Sequence, residues 1–456
     1  VYRVKEFAVC KRTVFLGRLS RQEGTNVWKR LSLVLFALIL TFTVSADTVI
    51  VWSPWTVEWN RVIQKLTDEE FTPKTGIEVK IVAIPAADME TKLLLAAASG
   101  DVPDIGITGS LGPADLGVRG AAVDLYERFS NQYLAVRDDM YPGLMRSFEF
   151  RGTNFGLPAD TALYPMAYRT DILSEMGMNV PVTWKELYGI LPKLQANGYN
   201  FAPTWGFADG VGNVAYADVS MFIWQHGGDW YSEDRTRSGL DCEESIAGFI
   251  EYAELYTKHN IPKAVDGFMG FKNGELPLLQ ISSAQYSYIK TAAPELTGKW
   301  KVTVVPGTVR EDGTISHAAY IGGSTFVMFK ASKKQDEAFA WLKWWLSTET
   351  QTKYINEVPK ALPGSVVIPA NRHAMLNMPL PEEDVEAYML QASHSIAPAY
   401  ALAPESITHR FINNACAKAV LQGVDPVEAI LEAASLMNVE LEKKQKEYAR
   451  FISKLN

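Results

Sequence analysis

The sequence predicts an α/β fold: a mainly parallel sheet with helices on both faces. Three observations predict it. Strand-like and helix-like apolar patterns alternate as β-α-β-α-β over residues 47–108. With 47% apolar residues in 456, there is ample core for two or three domains. No repeat of 20–50 residues and no low-complexity linker interrupts the chain, so its sheet systems must sit close together, joined by short crossings.

From Asp47, "TVIVWSPW" predicts a buried strand. "NRVIQKLTDEEFTPKTG" predicts a helix with Val62, Ile63, Leu66 and Phe71 on one side, closed by Pro73 and Gly76. "IEVKIVAI" alternates as a strand. "DMETKLLLAAASG" reads as a helix with Asp88 as N-cap and Gly100 as terminator, and "DIGIT" is the third strand. Such sheets bind ligands outside the carboxyl ends of their strands. Later, "NFAPTWGF", "LPLLQIS", "WKVTVVPG" and "STFVMFK" predict strands. "VAYADVSMFIWQHGG", "CEESIAGFIEYAELYTKHN", "KKQDEAFAWLKWWLS" and the run from Asp425 to Leu455 predict helices. Trp341, Trp344 and Trp345 fall at helical spacing, which is core packing.

Ahead of this body, Leu31 to Val44 is an apolar run behind Lys29-Arg30, ending in Val44-Ser45-Ala46. It is shorter than the roughly 20 residues that a spanning helix needs. A signal peptide over 27–46, cut after Ala46, is expected; an uncleaved anchor is the alternative. Residues 1–26 read as translated leader, because Gln22-Glu23-Gly24 can be encoded with a ribosome-binding sequence ahead of a GTG start at Val27. No Cys follows the cleavage point, so no lipid anchor is expected and the mature chain is placed in the periplasm.

Residues 1–46 carry eight Lys/Arg and two Asp/Glu, which leaves 36 basic and 50 acidic side chains, a net charge of −14. That balance gives no footprint for nucleic acid. Cys242 and Cys416 remain after processing and read as separate thiols.

The landmarks, in this order, resemble the extracellular solute-binding proteins of ABC importers, the class containing maltose-binding protein. The stretches that carry the resemblance are "VIVWSPW", "FTPKTGIEVKI", "LLLAAASGDVPDI", "NFGLPADTALYPMAYRTDIL", "VPVTWKEL", "FKNGELPLLQIS", "WKVTVVPG", "IGGSTFVMFKASKKQDEAFAWLKWWLSTETQ" and "GVDPVEAI". They span nearly the whole mature chain, and their joint order is more specific than any one of them. The resemblance implies the two-lobed periplasmic-binding-protein fold (type II) with a ligand cleft between α/β lobes. It implies one lobe from 47–158 with 325–365 and another from 165–320 with 366–456, with crossings near 159–164, 321–324 and 365. It also implies delivery of the ligand to permease subunits in the inner membrane. Two departures bear on the substrate: "SAQYSYI" stands where the family often has Trp, and "GSLGPADLG" lacks an aromatic that some maltose-type receptors place there.

Trp55 follows the first strand at its carboxyl end, where an aromatic face can pack on the C–H face of a sugar. Trp52, inside the strand, is core. By the resemblance, "GLPADTALYP" is the first crossing and puts Asp160 and Thr161 on the cleft floor, where a carboxylate accepts from vicinal hydroxyls; a turn or cap Asp is the plainer reading. "HAAYIGGST" is the second crossing, with Gly322 and Gly323 for close approach or hinge rotation, or simply a bend in a strand. In the second lobe, Trp205, Asp209, Asn213 and Tyr216 cluster around a loop and helix start, and Gln285 and Tyr286 follow "LPLLQIS".

Catalytic and metal signals are poor. The six His are scattered, with no HExxH, paired-Cys, nucleophile-elbow or phosphate-loop pattern. A secreted glycoside hydrolase, which needs two carboxylates about 5–9.5 Å apart, stays open from sequence. The expectation is a monomeric, non-enzymatic receptor without cofactor that binds a carbohydrate, an oligosaccharide by preference. The alternatives are a receptor for a glycerol phosphate or other small solute, with Arg410 or Arg372 to meet an anion, and a ligand-sensing module.

Overall fold

A computed structural model describes residues 48–109, 112–203 and 215–455. The expected leader and signal peptide, and Trp205, Asp209 and Asn213, lie outside these residues. Along the chain run β1 (Val49–Ser53), α1 (Val57–Leu66), β2 (Val79–Ala83), α2 (Ala86–Ser99), β3 (Ile105–Thr108), β4 (Leu157–Pro158), β5 (Ala162–Leu163), β6 (Met166–Arg169) and β7 (Phe201–Ala202). Then come α3 (Ala215–His226), α4 (Glu243–Thr257), β8 (Leu278–Gln280), α5 (Ser283–Ala292), β9 (Trp300–Thr303), β10 (Ile321–Gly322) and β11 (Thr325–Met328). The order closes with α6 (Gln335–Trp345), α7 (Thr348–Ala361), α8 (Glu382–His394), α9 (Glu405–Leu421) and α10 (Pro426–Glu447).

The fold is two-lobed α/β. One sheet has the order β2-β1-β3-β11-β4 and the other β9-β6-β8-β7. Each is mainly parallel. In the first, only β11 runs against the rest, antiparallel to β3 and β4; in the second only β6 does, antiparallel to β8 and β9. Val51 pairs with Ile81 on one side and Ile105 on the other. Val49, Val51, Ile105, Phe326 and Val327 are essentially inaccessible, as expected for strands covered on both faces.

Helix α1 starts at Thr56, whose side chain accepts from the Trp59 N–H, and buries Val62, Ile63 and Leu66. It runs on through a π turn, Thr67–Phe71, and a last turn, Thr72–Thr75, to Gly76 at φ 73°. Pro73 therefore does not close the helix; it sits inside the last segment near its start, and the left-handed Gly76 ends it. Likewise Asp88 lies in the first turn of α2, and Pro85 is its N-cap. Pro85 accepts the Asp88 N–H through its carbonyl, which starts the helix earlier than the Asp implied.

Trp341 and Trp345 are buried in α6, and Trp344 packs on Phe71 with ring centroids 5.2 Å apart. Helices α3, α4, α9 and α10 share one core through Phe222, Tyr252, Ile412 and Ile430. Beyond α10, Phe451 reaches Phe150 and Phe155, beside residues of α2 and β11. Cys242 and Cys416 are free thiols. No helix among the described residues is long and apolar enough to cross a membrane.

Candidate functional site

Strands β1, β3 and β4 end at one edge of the first sheet, and the reversed β11 begins there. The residues just past those ends form the candidate site. After Ser53 the chain turns through Pro54-Trp55, held by Ser53 Oγ on the Trp55 N–H and by Asn60 Nδ2 donating to the Trp55 carbonyl. The indole Nε1 donates to Ser324 Oγ at 3.3 Å. Ser324 in turn donates its N–H to Asp160 Oδ1 at 2.5 Å and its hydroxyl to Oδ2 at 3.2 Å. Burial pushes the Asp160 carboxyl above its usual range, against these hydrogen bonds.

Beneath this contact the chain crosses between the sheets. β5 and β10 pair as a two-stranded ladder with Ala162 opposite Gly322, and Thr161 bridges Ile368. Thr161 is buried with its hydroxyl unpaired. Gly323 has φ 146°, and a Cβ there would lie 2.5 Å from the Asp160 carbonyl and 2.8 Å from Oδ1, so only glycine fits. At Gly322 the obstacle is the Tyr320 ring, at 2.8 Å.

An aromatic series leads away from the crossing. Tyr164 lies edge-on to Tyr320 at 6.1 Å, Tyr320 to Tyr216 at 5.8 Å, and Tyr216 stacks on His409 at 3.5 Å with ring planes 9° apart. Tyr216 is fixed by its N–H on Asn413 Oδ1 of α9. His409 borders a cavity of about 250 Å³ between the carboxyl end of β3 and the start of α9. Thr108, Gly109 and Asp115 line one side; Glu405, Ser406 and His409 line the other, and Glu90 completes the rim. No lysine or arginine lines it among the described residues. Arg119 is turned onto Asp115 at 2.9 Å and over the Tyr448 ring. Burial pushes the His409 imidazole down to about 3, so it is neutral.

Trp55, Asp160, Thr161, Gly322 and Gly323 are thus brought together, and Tyr216 joins them through Tyr320. Gln285 is placed differently: its Oε1 accepts the Ser282 N–H while its own N–H bonds Ser282 Oγ, a capping box at the start of α5. Tyr286 is core, with its hydroxyl on Asp384 at 2.5 Å and its ring against Trp300 and Tyr388. Arg410 is exposed, its guanidinium over the Phe411 ring, and it does not line the cavity. Trp52 is half-buried against the core. Sequence reasoning missed Ser324, Tyr320 and His409. The serine directly after Gly322-Gly323 was a usable signal for the first; nothing local marks the others. No cluster of His, Cys, Asp and Glu that could hold a metal occurs among the described residues.

Residues 53–352 match the family described as bacterial extracellular solute-binding protein. A lactose-binding protein of Rhizobium radiobacter is 23% identical over 323 residues, 67% of this chain and 72% of the relative. Among solved structures, a sugar-binding protein of Xanthomonas citri superposes with a TM-score of 0.74 at 19% identity, covering 88% of this chain and 99% of that one. A cyclic α-maltosyl-1,6-maltose binding protein of Arthrobacter globiformis gives 0.72 at 21% identity, covering 87% and 99%.

Proposed function

The chain belongs to the bacterial extracellular solute-binding proteins, and from that premise we propose that it is the periplasmic receptor of an ABC importer for a carbohydrate. The observation that carries the reading is the composition of the site. Trp55 stands beside the Asp160–Ser324 junction and Tyr216 stacks on His409, while the cavity that His409 borders is lined by hydroxyls and carboxylates (Thr108, Ser406, Glu90, Asp115, Glu405) with no basic side chain among the described residues. A sugar presents C–H faces to aromatic rings and hydroxyls to such oxygens, whereas buried polar groups left unpaired would oppose binding. Phosphate would meet the carboxylates unfavourably. The names of the relatives, which bind lactose and cyclic maltosyl-maltose, favour the same class.

In this reading the lobes are 47–158 with 325–365 and 165–320 with 366–456, the last residues reaching back to the first lobe through Phe451. Crossings near 159–164, 321–324 and 365 form the hinge, and the bound solute stabilises closure by bridging the lobes. The monomer docks transiently on permease subunits and performs no chemistry on its ligand. A thermal-shift panel of sugars, glycerol phosphates, polyamines and ferric ion tests the class. A ligand at 100 times its dissociation constant stabilises by about 2.7 kcal/mol; the expected responders are sugars, and a response to phosphorylated ligands alone overturns the assignment.

A further inference from the structure

Helix α10 is rooted in one core and its tail ends in another. From Ala429 to Leu441 its inner face packs with Phe222, Tyr252 and Ile412 of α3, α4 and α9. The helix stops at Tyr448, and a short second helix, Ala449–Ile452, follows that break. Past it, Tyr448, Phe451, Ile452 and Leu455 join a cluster built on the first sheet, with Leu93 of α2 and Val327 of β11. The Phe451 ring lies 6.4 Å from that of Phe150 and 6.3 Å from that of Phe155, centroid to centroid. Arg119 lays its guanidinium over the Tyr448 ring at 5.9 Å.

The two sides of the cavity stand close together in this structure. A Cβ on Gly109, just past β3, would lie 3.7 Å from Glu405 Oε2 of α9, ordinary van der Waals contact. The tail bears on the same gap. Leu93 lines the cavity and belongs to the cluster that receives Phe451, and Arg119, which covers Tyr448, grips Asp115 on the cavity wall at 2.9 Å. A hinge opening carries the first sheet away from the core that holds α10. The tail is anchored in both, so opening pulls Phe451 and its neighbours off Phe150 and Phe155 and returns apolar surface to water. We propose that residues 448–455 are a strap that docks when the lobes close and adds to the free energy of closure, and so to ligand affinity. It does this at a distance from the ligand, since none of its residues lines the cavity. The inference rests on the closing two-lobed receptor proposed above and not on the identity of its solute.

The test compares the full protein with its Phe451→Ala variant, by calorimetry with lactose, maltose and maltotetraose as probes and by small-angle scattering with and without the probe that binds best. Phe451 is only partly buried, at the edge of its cluster, so losing the ring leaves both cores intact. The variant should bind that probe about fivefold more weakly, because a smaller fraction of it is closed. At saturation it should still reach the wild-type radius of gyration. Equal affinity, or a saturated variant that stays larger than wild type, overturns the strap and leaves the carbohydrate reading intact. If none of the three sugars binds the wild type, the carbohydrate reading fails and scattering without probe decides the strap: a larger radius for the variant supports it, and an equal one overturns it. Should Phe451→Ala not fold, amide exchange over residues 448–455 of the wild type is measured instead. Slower exchange with saturating probe supports the strap, and unchanged exchange overturns it.

Discussion

Asp160 accepts both the N–H and the hydroxyl of Ser324, at 2.5 and 3.2 Å, and so stitches the first crossing of the chain to the second. Residues 164 positions apart are thereby joined where the chain passes from one sheet to the other. Asp160→Ala leaves the Ser324 N–H without its acceptor and should cost about 1–3 kcal/mol in urea unfolding at pH 7. Asp160→Asn keeps one acceptor and removes a charge that burial disfavours, so its loss should be clearly smaller. Equal losses for Asn and Ala would show that the two bonds to Ser324 are not what the carboxylate contributes.

Gly323 faces the same carboxylate from the other side. Its φ of 146° and the 2.5 Å approach of a would-be Cβ to the Asp160 carbonyl make Gly323→Ala a backbone change. A loss of about 1–3 kcal/mol is expected. A melting temperature within one degree of wild type would mean that the crossing relaxes freely.

Trp55 presents its indole beside this junction and is tied to Ser324 by its Nε1. Trp55→Ala should weaken carbohydrate binding by at least about 1 kcal/mol, while Trp55→Phe, which keeps a stacking face, should lose less. Calorimetric titration of both variants checks the order; Phe as poor as Ala would shift the role from the ring face to the indole N–H.

His409 makes acid stability a readout of the site. Its folded value, about 3, lies below the ordinary 6.5, so the unfolded chain binds the extra proton between those values. Stability from this residue is present above pH 6.5 and lost as pH falls toward 3; between pH 7 and 5 the loss is about 2 kcal/mol. The groups around it are Glu405 on its own helix, Tyr216, Tyr320 and, across the cavity, Glu90 and Asp115. Denaturant unfolding of wild type and His409→Phe at pH 7 and 5 isolates its share. The variant should lose less stability on acidification; parallel losses would contradict the neutral imidazole.

The fold was legible because its signals are local. Alternation in "IEVKIVAI" and the helical spacing of Val62, Ile63 and Leu66 each follow from one element's own geometry. Trp341 and Trp345 read as core for the same reason. Of the residues named from sequence as candidate ligand contacts, those that follow a strand end or a crossing, Trp55, Asp160 and Gly323, are the ones the fold brings together. Gln285 and Tyr286 looked like cleft residues, yet one is used by the helix start and the other by Asp384 in the core. The residues that sequence did not reveal, Tyr320 and His409, owe their place to Tyr216, whose partner Asn413 is 197 positions away. No periodicity carries such a contact.

The central claim is a two-lobed receptor that closes on a carbohydrate, and small-angle scattering tests it most directly when the same sample is measured alone, with saturating sugar and with saturating glycerol 3-phosphate. The sugar that binds by calorimetry should reduce the radius of gyration, glycerol 3-phosphate should leave it unchanged, and Trp55→Ala should need more sugar to reach the same compact state. Compaction by glycerol 3-phosphate alone, or sugar binding with no change in radius, would contradict the account.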